Sequence, residues 1–258
     1  MSDISSRIRE IKALEALASG STAVHRLHPL AKLLSAFVFI GFVVSYGRYD
    51  VARLVPYLFY PFIMMALAEL PYKLLLSRVL IALPFCLFAG LSNVVFDREV
   101  AFIVGGVAVS LGVLSLLTIL LKMYLCVMAA LLLVATTQFT ELTASLRRLH
   151  VPLVLVMVFE MTYRYIGVLL EETHAMTTAY KLRSGTRKKL DMKHMGSFVG
   201  QLILRGFDRA ERIHAAMNCR GYSLRYTPPA RRKLVPGDFF ATAIICIPAA
   251  ALRFVVIW

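Results

Sequence analysis

The feature that most constrains this chain is a series of long apolar runs, at about 31–47, 51–68, 77–96, 108–137 and 238–257. A bilayer core takes roughly 20 residues of helix, and a single-chain bundle can cross it only if each backbone polar group is satisfied within its own helix. Hydrophobic residues make up 59% of the 258-residue chain and its mean hydropathy is +0.72. A soluble domain of this size could not bury that much apolar surface. The predicted fold class is an all-α integral membrane protein with about five transmembrane helices and a cytoplasmic module of long amphipathic helices. Pro56, Pro61 and Pro84 fall inside these runs and predict bends rather than breaks, because neighbouring helices can satisfy the freed carbonyls.

Charge sets the orientation. Between 141 and 236 there are 17 Lys or Arg against seven Asp or Glu, a local excess of ten within a chain of net charge +14. Basic flanks stay on the cytoplasmic side. Residues 1–20 mix Asp3, Arg7, Arg9, Glu10, Lys12 and Glu15 without the layout of a secretory signal, and read as a cytoplasmic amphipathic helix. Two cytoplasmic segments require an even number of crossings between them, hence four spans before 141, the fourth a single long helix ending at 137. Gly105, Gly106 and Gly112 fit a loop or a close helix contact ahead of it.

The same rule keeps the apolar stretch 151–170 out of the span count, since crossing there would put 14 basic residues outside. It reads instead as a membrane-surface helix over 152–184, with Glu160 and Arg164 spaced for an i, i+4 ion pair. A second helix covers 192–220, with Val199, Leu202, Ile203, Gly206, Ala210, Ile213 and Met217 along its apolar side. The resulting division is a cytoplasmic N-terminal segment 1–30, transmembrane helices 1–4 over 31–137, cytoplasmic coupling helices over 138–236, and a C-terminal transmembrane helix over 237–258. The expected location is the cytoplasmic (cell) membrane, multi-pass.

The residues give catalysis little to work with. No carboxylate falls in the middle of a predicted span, and no HExxH, nucleophile elbow or phosphate loop occurs. Nucleic acid is not an expected partner, because the cations flank apolar spans without stacking aromatics between them. The six histidines lack the spacing of a metal cage, and Cys86, Cys126, Cys219 and Cys246 form no CxxC pair. No cofactor or metal site is expected. Lys122 lies at mid-depth, where it either faces the bundle or snorkels to an interface, a functional gate being the alternative.

The remaining signal is a repeated one. Ala179-Tyr-Lys-Leu-Arg183-Ser184-Gly185 and Ala216-Met-Asn-Cys-Arg220-Gly221-Tyr222 each place an arginine at a helix end, an alanine four residues before it and a small residue after it. A cation at a helix C-terminus can be ordinary capping. Recurrence after 37 residues points instead to two exposed docking tips for two equivalent partners, with the guanidinium fork suited to carboxylates and carbonyls.

These segments, with Val24-His25-Arg26-Leu27-His28-Pro29, Ala135-Thr136-Thr137, Glu141-Leu142-Thr143, Tyr163-Arg164-Tyr165-Ile166 and Arg209-Ala210-Glu211-Arg212, resemble the transmembrane T component of energy-coupling factor (ECF) transporters. These are ABC importers, and the resemblance is greatest to the cobalt branch, the CbiQ-type subunit. Leu182 and Cys219 depart from the alanine usual before the arginines. The resemblance implies a non-catalytic coupling subunit whose Ala179, Arg183, Ser184, Ala216, Arg220 and Gly221 engage two ATP-binding cassette ATPase subunits, while a separate membrane substrate-capture (S) component holds the cargo. It implies cobalt uptake feeding cobalamin synthesis; nickel or a vitamin is the alternative cargo. The reading from a different class, a membrane enzyme acting on lipids, lacks membrane-facing acid clusters to support it.

Overall fold

The computed structural model describes residues 17–97, 100–104, 107–185, 192–222, 237–238 and 253. The expected helices at 1–20 and 238–257 and the basic turn Arg187-Lys188-Lys189 therefore lie wholly or mostly outside the described residues. The chain divides into two compact units. One comprises Glu15–Gln138 with Arg232–Trp258, the other Phe139–Arg231 with Met1–Leu14.

The first unit contains α1 (Ala23–Arg26), α2 (Pro29–Ser45), α3 (Val51–Leu54), a 3₁₀ turn (Val55–Leu58), α4 (Phe59–Ala68), α5 (Tyr72–Phe96) and α6 (Leu111–Thr136). Between α5 and α6, where a loop was expected, β1 (Val100–Val104) and β2 (Val107–Ser110) pair antiparallel, with Val104 opposite Val107. The two residues between them in the sequence are Gly105 and Gly106. Pro56 falls in the 3₁₀ turn, and Pro84 sits inside α5, which continues through it, so neither proline ends its span.

This unit is apolar on both its inside and its outside. Phe39, Val43, Leu54, Tyr57, Leu125 and Ala129 form one buried cluster, and Leu75, Val79, Met128 and Leu132 belong to another. Yet Phe85, Phe88 and Phe96 on α5 are 80–82% exposed. Such a surface belongs against lipid or a partner within the membrane. The chain is an integral membrane protein. Among the described residues, four helical segments are long and apolar enough to cross a bilayer: Val51–Ala68, Tyr72–Phe96, Leu111–Thr136 and Leu153–Arg183, the last of which the charge distribution had placed at the membrane surface. Pro29–Ser45 is a shorter apolar helix.

Helix α6 touches α2, α3, α4 and α5 and so forms the centre of the unit. Its approach to α5 depends on Gly112, where an added Cβ would lie 2.7 Å from both the Asn93 carbonyl oxygen and the Val94 Cα. Two lysines lock α6 to α2. Lys32, buried on α2, donates to the carbonyls of Thr136 (2.7 Å) and His25 (3.3 Å), and Thr136 ends α6. Lys122 on α6 donates to Tyr46 O (2.6 Å) and Val44 O (3.3 Å), where α2 ends. The helices are antiparallel, and each supplies the ammonium that caps the other's carbonyl end. Lys122 thus follows the bundle-facing reading.

Two contacts from the C-terminal segment reach opposite ends of α2. Asp238 Oδ1 accepts from the His28 backbone N–H at 3.0 Å, while Arg253 lies over the Tyr46 ring, 4.6 Å from its centroid, and donates to Ser45 Oγ at 3.4 Å. His25 is buried with both ring nitrogens occupied, by Thr22 Oγ1 and the Leu17 carbonyl. Among the described residues no group of three or more His, Cys, Asp or Glu could hold a metal.

The second unit contains α7 (Phe139–Arg148), α8 (Leu153–Arg183) and α9 (Met192–Cys219). Helix α7 ends at His150, a non-glycine residue at φ 60°, with Val151 N–H bonded to Leu146 O and His150 N–H to Arg147 O. This is a Schellman stop. Pro152 then takes the N-cap position of α8. Across the α7–α8 elbow, Phe139 stacks on Tyr163 with centroids 4.2 Å apart. The expected Glu160–Arg164 pair does not form. Glu160 turns to α7, accepting from Arg147 Nη2 at 3.0 Å and Thr143 Oγ1 at 3.3 Å, because the elbow brings a second helix closer than the next turn of its own.

Candidate coupling site

Helices α8 and α9 form an antiparallel pair. Arg205 of α9 is ion-paired with Glu172 of α8, Tyr180 faces His194 near the start of α9, and Arg220 beyond the end of α9 shares a pocket with Met161, Arg164 and Tyr165 of α8. The two sequence-derived tips therefore lie at opposite ends of the pair. Arg183 is about 19 residues along α8 from the turn beside Arg220, or about 28 Å at 1.5 Å per residue. Both arginines are exposed.

Each tip is built by its stop. Beyond α9, Tyr222 N–H bonds to Met217 O and Gly221 N–H to Asn218 O, both at 3.0 Å, with Gly221 at φ 70°. This Schellman motif makes Arg220 the C-cap residue, so its side chain leaves the helix just as the backbone turns away. At the other end Ser184 N–H bonds to Tyr180 O at 2.9 Å and Gly185 takes φ 63°, so the left-handed residue follows two positions after Arg183 instead of one. Arg183 is consequently the last helical residue. Ser184 Oγ folds back onto the Lys181 carbonyl. The left-handed stops at Glu69 and His150 tolerate a Cβ, whereas both tips use glycine, which adopts this conformation without strain.

Ala179 lines a groove of about 460 Å³ with Arg183, and Ala216 lines one of about 520 Å³ with Arg220 and Gly221. A larger side chain at either alanine would project into its groove. Leu182, beside Arg183, is 80% exposed and leaves the first tip with an apolar shoulder. Only part of the apolar side expected on α9 is covered: Leu202, Gly206, Ile213 and Met217 are half-buried, while Val199 and Ile203 remain exposed. Two residues absent from the sequence-derived set, Arg205 and Arg164, share the grooves of Arg183 and Arg220 respectively. No local spacing could reveal them, since each belongs to the opposite helix.

The described structure is an apolar helical bundle together with a helix pair that carries an exposed arginine at each end. The chain matches the family described as CbiQ, cobalt transport protein, over residues 20–229. It belongs to this family and is a T component of the ECF type. It is 27% identical to the energy-coupling factor transporter transmembrane protein EcfT of Bacillus subtilis over 252 residues, covering 91% of this chain and 94% of that one. It is 32% identical to the cobalt transport protein CbiQ of Rhodobacter capsulatus over 126 residues, 46% of this chain and 51% of the other. The nickel permease LarQ of Lactiplantibacillus plantarum is 28% identical over 106 residues, 41% of this chain and 39% of that protein.

Proposed function

We propose that this chain is the non-catalytic coupling subunit of an ECF-type importer for cobalt ions. Two ATP-binding cassette ATPase subunits dock on Arg183 and Arg220, and a separate membrane component captures the cargo. The observation that carries this reading is the antiparallel pair of α8 and α9, with an exposed arginine, paired with no other described residue, beside a glycine stop at each end. Two tips about 28 Å apart suit two ATPase subunits, and a stiff helix pair carries their ATP-driven motion to the membrane part. The N-terminus and 141–236 are cytoplasmic in this reading, with α8 along the membrane surface and a fifth span over 238–257. Asp238 and Arg253 at opposite ends of α2 support that span.

Cobalt is favoured by the family match, and nickel is the second reading because of the LarQ relative. Either ion is cargo, and the purified chain alone should bind cobalt weakly or not at all. The decisive experiment is Arg183→Glu combined with Arg220→Glu. A desolvated charge at a subunit groove is worth about 2–5 kcal/mol when its partner is lost, so the double variant should insert normally yet lose both ATPase copurification and uptake. Retention of ATPases and normal uptake would refute the assignment.

A further inference from the structure

The two tips resemble each other in sequence, but their electrostatic surroundings differ. In the Arg183 groove the second guanidinium, Arg205, is already bound by Glu172. In the Arg220 groove the second guanidinium is Arg164, exposed and without a hydrogen bond or ion pair to any described residue. Glu160, the acid four residues before Arg164, is held by Arg147 and Thr143 on α7. The elbow therefore removes from Arg164 the partner its own helix would have supplied.

We propose that Arg164 is a second docking residue at the Arg220 end, and that the ATPase surface received there presents two carboxylates where the Arg183 end takes one. This rests on the coupling reading above. Arg164 stands on a long helix and Arg220 on a hydrogen-bonded Schellman turn, so both positions are held before the partner arrives. Two unneutralised cations bordering one concave site repel each other, and a single carboxylate leaves one of them uncompensated. Paired carboxylates compensate both, each fork accepting a bidentate geometry. Tyr165 and Tyr222, which line the same pocket, add apolar walls with hydroxyl tips. A protein partner fits this better than a lipid headgroup, because the pocket is continuous with the Arg220 tip.

The test uses the reconstituted complex with its ATPase subunits and measures ATPase affinity against ionic strength for Arg164→Ala, Arg164→Lys, Arg205→Ala and Arg220→Ala. Arg164→Ala should weaken ATPase binding roughly tenfold and flatten its salt dependence. Arg164→Lys, which keeps the charge but not the fork, should recover part of the loss, and Arg205→Ala should change affinity less than about threefold. Equal affinity for Arg164→Ala and wild type, with Arg220→Ala still weakened, would overturn this proposal and leave the coupling reading standing. If Arg164→Ala instead reduces only binding to vesicles rich in phosphatidylglycerol, with ATPase affinity unchanged, the residue serves lipid and the proposal fails. If Arg183→Glu with Arg220→Glu does not release the ATPases, both readings fail together.

Discussion

Replacing Lys32 by methionine tests the reciprocal clamp between α2 and α6. Methionine keeps much of the length and the apolar stem but removes the ammonium that serves Thr136 O at 2.7 Å and His25 O at 3.3 Å. Lys32 is only 5% exposed, so water cannot easily take its place. A buried acceptor left unpaired costs about 1–3 kcal/mol, and the lost charge at the end of α6 adds up to ~2 kcal/mol. These contributions overlap, and a net loss of about 3 kcal/mol follows. At about 2–4 °C per kcal/mol for chains of 150–250 residues, thermal unfolding in detergent, followed by circular dichroism, should fall by roughly 6–12 °C. Lys122→Met should cost less, about 1–1.5 kcal/mol, because Lys122 is only half-buried and solvent can reach its carbonyls. The two sites are about 20 Å apart along α2, so the double variant should add within about 0.5 kcal/mol. An unchanged melting temperature for Lys32→Met, or equal losses at the two lysines, would refute the clamp.

Gly112→Ala should destabilise the membrane unit by about 1–3 kcal/mol, since the new Cβ meets backbone atoms of α5 that cannot rotate away; Gly41→Ala, with nothing within 4 Å, should be neutral or slightly stabilising in the same melting assay. Glu160→Gln should loosen the α7–α8 elbow by about 1 kcal/mol after solvent screening and speed proteolysis around His150, whereas Arg164→Ala should leave cleavage unchanged because Glu160 pairs with Arg147. For topology, a membrane-impermeant thiol reagent applied to intact cells should label a cysteine added after Trp258 and miss one at Lys189. Labelling at Lys189 would overturn the five-span reading.

The membrane class, the positions of α2 through α6 and the lengths of α8 and α9 were legible in the sequence, because hydrophobic run length and helical periodicity are local properties. So were the arginine tips, since an alanine, an arginine and a following small residue report a helix end without reference to the rest of the chain. Contacts between segments distant in sequence could not be read this way. Lys32 and Thr136 are 104 residues apart, and nothing local marks one as the cap of the other. Glu160 had a suitable partner four residues along, and only the elbow at His150 decided that Arg147 would take it. The inequality of the two tips has the same origin: the antiparallel pairing of α8 and α9 determines which second arginine enters each groove, and a neighbouring glutamate determines whether that arginine is free.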